Sequence, residues 1–354
     1  MSLSFRRSSL FTIPPSLSPL SPLTPLAITL SVTSALLLLL PPLLRRLLRP
    51  SSPSRPILLS LPYSHYVELA RWSLIRASVD FVELKLPIGP HLLVGVYRLL
   101  FDGGTVSSSS FPGDATAQSR DTGALPLLAR AFRFQPAFFR RLAGVPALVR
   151  TDPETLATSI LPDSWSILNH AGLSISPAFR GRLDESLGPA VRRLAYTEIF
   201  RTSRSYYRAI QGGGFLTMLA FDLFDLFGTP LLMRSLMDLT PTGAADASNS
   251  IASEFAHVSE ILEKTCLPFL GEGEGGTAFG GGDLAFSALA GWIVLPPNFQ
   301  TGGIDSSLCQ PENFLKATAY IAVRERARDE HRRAWDLVVK CYETERVRPF
   351  PKSE

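Results

Sequence analysis

The spacing of apolar positions changes several times along this chain, and each change marks an element. Pro56-Ile57-Leu58-Leu59-Ser60-Leu61 is a short apolar run suited to a buried strand. From Ser64 to Ala77 the spacing turns helical, with Val67, Ala70 and Leu74 three and four apart. Val79 to Leu86 then alternates, with Val82, Leu84 and Leu86 on one side and Phe81, Glu83 and Lys85 on the other. Strand, helix and strand within about 30 residues have the size of a βαβ unit. Val145 to Val149 and Leu156 to Leu161 read as a hairpin turned at Asp152-Pro153-Glu154. Asp163 or Ser164 caps a short helix that ends near Gly172.

Beyond Pro177 no strand pattern is convincing. Helical spacing runs over Arg182 to Ile210, Ser248 to Phe269, Asp283 to Val294 and Glu312 to Tyr342. The pattern therefore predicts a small α/β domain over residues 56–172 and an all-helical domain over 177–346. Inside the first lies an inserted loop, 103–123, rich in Ser, Gly, Thr and Asp, with little to bury. Helical stretches border it at Leu92 to Phe101 and Leu125 to Leu142; the second is basic and aromatic and reads as an amphipathic cover or a membrane-surface element. Phe215 to Met237 is apolar, but Asp222 and Asp225 in its middle argue against a membrane span. Gly271 to Gly282 lacks the arrangement of a phosphate-binding loop and reads as a flexible connection.

Charge alters the reading of the first 67 residues. No acidic residue occurs before Glu68, while Arg6, Arg7, Arg45, Arg46, Arg49 and Arg55 all do, so the net charge of +4 mostly describes this segment. Charge confined to that leader is no evidence for nucleic-acid binding, and no nucleic-acid partner is expected. After a Ser/Pro-rich tail at 1–25, the span 26–48 opens with 19 uncharged residues, Leu26 to Leu44. At about 1.5 Å per residue these nearly cross a hydrocarbon core of roughly 30 Å. With more arginines after the span than before it, a single membrane anchor would leave the large C-terminal part in the cytosol. A cleaved targeting segment for a plastid or mitochondrion is the alternative, since the leader is Ser-rich, Arg-bearing and free of acid. Three cysteines at 266, 309 and 341 form no CxxC pair, which argues against a disulfide framework or a zinc site.

Two stretches carry a resemblance. Ser64-His65-Tyr66-Val67-Glu68-Leu69-Ala70-Arg71-Trp72-Ser73-Leu74 matches, without a gap, the opening of the first helix in the cytosolic glutathione transferase superfamily, with His65 in place of the usual proline. Val145-Pro146-Ala147-Leu148-Val149 is similar to the strand whose proline is cis in that family, and Gly282-Asp283-Leu284-Ala285-Phe286 resembles the start of the helical domain's buried helix. The family's capping Ser or Thr is Gly280 here, so a weakened cap is expected, and its basic residue before Val-Pro is Gly144, for which Arg140 or Arg141 could substitute. The resemblance spans roughly Pro56 to Tyr342. It implies the glutathione transferase fold: an α/β thioredoxin-like domain, then an all-α domain, here preceded by one transmembrane helix.

The resemblance also implies chemistry. Glutathione would be the co-substrate, held by the backbone of Val145 beside Pro146 and by the Asp163-Ser164 pair, with its thiol facing Ser64. A thiol at its ordinary pKa is mostly protonated at neutral pH. A hydroxyl donor at a helix N-terminus, where N–H groups point outward, favours the thiolate and so activates it. Tyr63 is the alternative donor, and Tyr66 reads as packing. Each site residue has a plainer reading: Ser64 and Asp163 as simple caps, Pro146 as an ordinary edge proline, His65 as a helix-surface histidine. Trp72 and Trp165 read as core. The expected activity is conjugation of glutathione to hydrophobic electrophiles, without a metal; the competing reading is a non-catalytic binding or scaffold protein at a membrane. A homodimer is the family's assembly.

Overall fold

In a computed structural model of the protein, the described residues are 55–61, 64–85, 146–151, 158–201, 238–296, 299 and 318–346. All of them lie within one compact unit, Pro50–Glu354. The expected anchor at 26–48, the loop at 103–123 with its bordering helices, and Phe215 to Met237 fall outside the described residues.

Four strands form one mixed sheet: β1 (Ile57–Ser60), β2 (Val82–Lys85), β3 (Ala147–Thr151) and β4 (Thr158–Leu161), in the order β2-β1-β3-β4. β1 runs parallel to β2 and antiparallel to β3, and β3 is antiparallel to β4. This is the arrangement expected of a thioredoxin-like domain. β1 is buried along its whole length, as expected of its apolar run, and Ser60 at its end is buried with it. β2 is shorter than its alternating pattern suggested and lies at the edge, with Val82 and Lys85 exposed.

Helix α1 (His65–Arg76) follows β1 and returns the chain to β2; α2 (Ser164–His170) follows β4. Ala70, Leu74 and Phe81 join Leu58, Leu148 and Ile167 in a core between the sheet and these helices. Val67, Leu69 and Trp72 instead join the core of the helical part. Helix α1 is thus buried on two faces, and His65 and every residue from Val67 to Leu74 are buried.

The first helix of the helical part starts before Arg182, where the helical spacing of this part begins. Pro at the first position and Ser176 as cap start α3 (Pro177–Arg182), where Ser176 Oγ accepts the Phe179 N–H. A π-helical turn, Leu183–Leu187, joins it to α4 (Gly188–Arg201). The apolar run Leu183, Leu187, Val191, Leu194 conceals that turn, because spacings of three and four fit an uninterrupted α-helix as well. Helix α5 (Pro241–Thr265) starts at its Thr240 cap, well before Ser248. The last predicted helix is two, α7 (Thr318–Glu330) and α8 (Arg332–Lys340), broken at His331 and followed by a second π turn, Cys341–Glu345.

Helix α6 (Gly281–Val294) is buried at every position and packs against α1, α4 and α8. Its one carboxylate, Asp283, accepts the backbone N–H groups of Leu270 (2.7 Å), Gly271 (2.9 Å) and Gly280 (2.9 Å). The expected weakening at Gly280 is therefore offset by donors from the glycine-rich loop. Burial pushes the Asp283 carboxyl up to about 6, against the pull of these three donors. The loop is more than a flexible connection: it is closed by a bridge between Phe269 and Gly276, and a Cβ at Gly281 would overlap the Ser174 carbonyl. Glycine is there because backbone passes against backbone.

Candidate functional site at one end of the sheet

Strand register places three chain turns together. Leu59, near the end of β1, pairs with Ala147, at the start of β3, and Leu148 pairs with Leu161, the last residue of β4. The exit of β1 toward Ser64, the entry of β3 at Pro146 and the exit of β4 toward Asp163 therefore share one end of the sheet. With neighbouring strands about 4.8 Å apart, β1 and β4 are separated there by roughly 10 Å. The helices that begin at two of these corners, α1 and α2, pack on each other.

Ser64 is the N-cap of α1, half-buried, in extended backbone (φ −83°, ψ 123°), and its side chain makes no capping hydrogen bond. Its backbone N–H donates to the Leu61 carbonyl at 2.9 Å. The hydroxyl is thus not used by its own helix, in contrast to the plain-cap reading. Asp163 behaves differently: its carboxylate accepts the Ser166 N–H at 2.7 Å and the Ser166 hydroxyl at 3.2 Å. It is a working cap, half-buried, with lone pairs left over. Ser164 is only 2% exposed, so most of it lies inside the fold. Pro146 is buried at the mouth of β3. Tyr63, Val145, Arg140, Arg141 and Gly144 lie outside the described residues.

The helical part braces both helix starts. Asp184, in the first π turn, accepts a hydrogen bond from Trp165 Nε1 at 3.1 Å and one from the Tyr66 hydroxyl at 3.4 Å. Trp165 and Tyr66 each occupy the second position of their helix. His65 is not on the surface as expected: it is 3% exposed, and its Nε2 lies 3.0 Å from the Gly188 carbonyl, so that nitrogen carries the proton and donates. Burial, reinforced by the positive charge of Arg192, lowers the His65 pKa to about 3 and keeps the ring neutral. A Cβ at Gly188 would collide with the Tyr66 hydroxyl, so glycine lets α1 approach α4 closely. No signal in the sequence marked Asp184 or Gly188, because each works through partners more than 100 residues away or across the turn from α2.

A second polar group lies deeper along α1. Arg71 reaches Glu68 and Glu83 at 2.6 Å each, and Arg346 reaches Glu68 at 2.9 Å, all nearly buried. Against the opposing effect of burial, Arg71 holds the Glu83 carboxyl below its usual range. Arg76 pairs with Glu345 alongside, so the segment at residues 345–346 is fastened along α1. Trp72 and Trp165 are core residues, as expected.

No family model matches the sequence, and no curated protein is similar to it. Among solved structures, the chain is similar to a glutathione S-transferase of Ceriporiopsis subvermispora in complex with glutathione, at 12% identity and a TM-score of 0.45, over 84% of this chain and 100% of that one. A glutathione transferase from Phanerochaete chrysosporium is 13% identical with a TM-score of 0.44, over 82% and 96% of the two chains. A Tau class glutathione S-transferase from mango is 17% identical with a TM-score of 0.33, over 85% and 95%. At such scores these likenesses bear no weight on activity. Among the described residues no helix is long and apolar enough to cross a membrane, and no group of three metal-binding side chains occurs.

Proposed function

We propose that the protein binds glutathione across the three corners at this end of the sheet and conjugates it to an electrophile held toward the helical part. The supporting observation is the register: a tripeptide is roughly 10 Å long when extended, somewhat more with a γ-linkage, enough to reach from the β1 exit to the β4 exit. In this reading the backbone before Pro146 pairs with the cysteine unit, and Asp163 and Ser164 receive the γ-glutamyl end. The thiol then lies at the start of α1, where the Ser64 hydroxyl is free of capping duty.

The chemistry follows from that placement. Donation from Ser64 Oγ and the outward N–H groups of α1's first turn stabilise the thiolate relative to the thiol. The thiolate sulfur attacks an electrophilic carbon, the new S–C bond forms, and the leaving group departs with its electron pair. The proton lost by the thiol goes to solvent. Neutral His65 beside Ser64 adds no charge of its own.

A non-catalytic binding or scaffold role is the second reading, favoured by the burial of Ser164 and by the capping contact that occupies Asp163. Retention on immobilised glutathione, abolished by Ser64→Ala or Asp163→Ala, is the outcome expected of the first reading. Failure of the unmutated protein to bind would leave the second. A membrane anchor at 26–48 and cytosolic exposure of the rest belong to the same proposal and rest on the sequence pattern, and a homodimer rests on the family resemblance.

A further inference from the structure

Among the described residues Arg192 has no ion pair or hydrogen bond: it is a cation without a counter-ion. It lies on α4 one turn beyond Gly188, so the two share a helix face. Gly188 is the residue on which α1 rests, through His65 Nε2 and the Tyr66 hydroxyl. Arg192 is therefore directed toward the beginning of α1, and its charge is felt at His65. Its neighbours Ala190, Val191, Leu194 and Ala195 are buried in the helical core, whereas Arg192 is half-buried.

The carboxylates that brace the two helix starts are already engaged. Asp184 receives Trp165 and Tyr66, Glu68 receives Arg71 and Arg346, and Asp163 caps α2. A half-buried guanidinium loses hydration without gaining a partner, and an arginine's planar donors suit a carboxylate in two-point contact. We infer that Arg192 selects the second substrate: it receives a carboxylate carried by the electrophile, so that the site takes anionic electrophiles rather than merely apolar ones. This inference rests on the glutathione reading. The sulfur faces Ser64 there, and Arg192 lies on the helical side of α1's start, where the group joined to sulfur would extend.

The test uses the full-length protein and two preformed thioethers of glutathione, one bearing a 2,4-dinitrophenyl group and the other a 2-nitro-4-carboxyphenyl group. Calorimetric titration is expected to show the carboxylated thioether binding roughly tenfold or more tighter, the scale of one charge-assisted contact. Arg192→Gln should bring the ratio of the two dissociation constants near one, and Arg192→Lys should retain part of the preference, which a merely structural arginine would not do. Equal binding of both thioethers by the unmutated protein overturns the inference. So does an Arg192→Gln variant that keeps the ratio. Should Arg192 instead hold glutathione's own glycyl carboxylate, the substitution would erase the difference in affinity between glutathione and γ-glutamylcysteine and leave the thioether ratio alone, which also overturns it. If neither thioether nor glutathione binds, the glutathione reading itself has failed, a result distinct from equal binding.

Discussion

Replacing Arg346 with methionine should destabilise the fold by about 3–5 kcal/mol, the range for removing one partner of a buried ion pair. The side chains of Arg346 and Glu68 are 3% and 5% exposed, and they meet at 2.9 Å across 278 residues of sequence. Glu68 would retain only Arg71, which is already shared with Glu83, so two carboxylates would lie buried against one guanidinium. Neutralising the surplus should recover most of the loss: Arg346→Met with Glu68→Gln leaves the Arg71–Glu83 pair intact. The double variant is expected to be at least about 2 kcal/mol more stable than Arg346→Met alone. Urea unfolding followed by tryptophan fluorescence measures each value, with unchanged slope as the check that the denatured state is comparable. A loss below about 1 kcal/mol in Arg346→Met would refute the reasoning, as would effects of the two substitutions that simply add.

Three further outcomes are expected from the same contacts. His65 stays neutral with a pKa near 3, so the native state binds fewer protons than the unfolded chain between about pH 6.5 and 3, and its contribution is lost as pH falls through that window. Relative to His65→Gln, the protein should lose about 2 kcal/mol between pH 7 and pH 5, and a constant difference across that range would contradict the burial of a neutral ring. Asp283→Ala should cost about 3 kcal/mol or more by stranding the N–H groups of Leu270, Gly271 and Gly280, and near-wild-type thermal unfolding would show that they find other acceptors. Gly188→Ala should destabilise by about 1–3 kcal/mol through overlap with the Tyr66 hydroxyl, and Tyr66→Phe in that background should relieve part of it, a coupling that a double-mutant cycle detects.

Local order was legible from the sequence where one signal sufficed. The apolar run at Ile57 and the Asp163 cap each specify their element through neighbours a few residues away. Fully apolar α6 was legible for the same reason. What escaped depends on distant partners or on backbone crowding. His65 is buried because a carbonyl 123 residues later faces it. The π turn escaped because an added residue does not disturb a three-and-four spacing. Loop glycines at 271–282 looked merely permissive because the Ser174 carbonyl that excludes a side chain at Gly281 is far off in sequence. Of the candidate site, its corners could be named from residue types, but only strand register put them at one end of the sheet.

The most direct measurement is a crystal structure of the protein grown with glutathione. The tripeptide is expected to lie across the ends of β1, β3 and β4, with its sulfur within hydrogen-bond reach of Ser64 Oγ, roughly 3.0–3.5 Å, and its γ-glutamyl carboxylate at the start of the Ser164–His170 helix. Glutathione bound with its sulfur away from Ser64, or an empty site at saturating concentration, would contradict the proposed mode of binding.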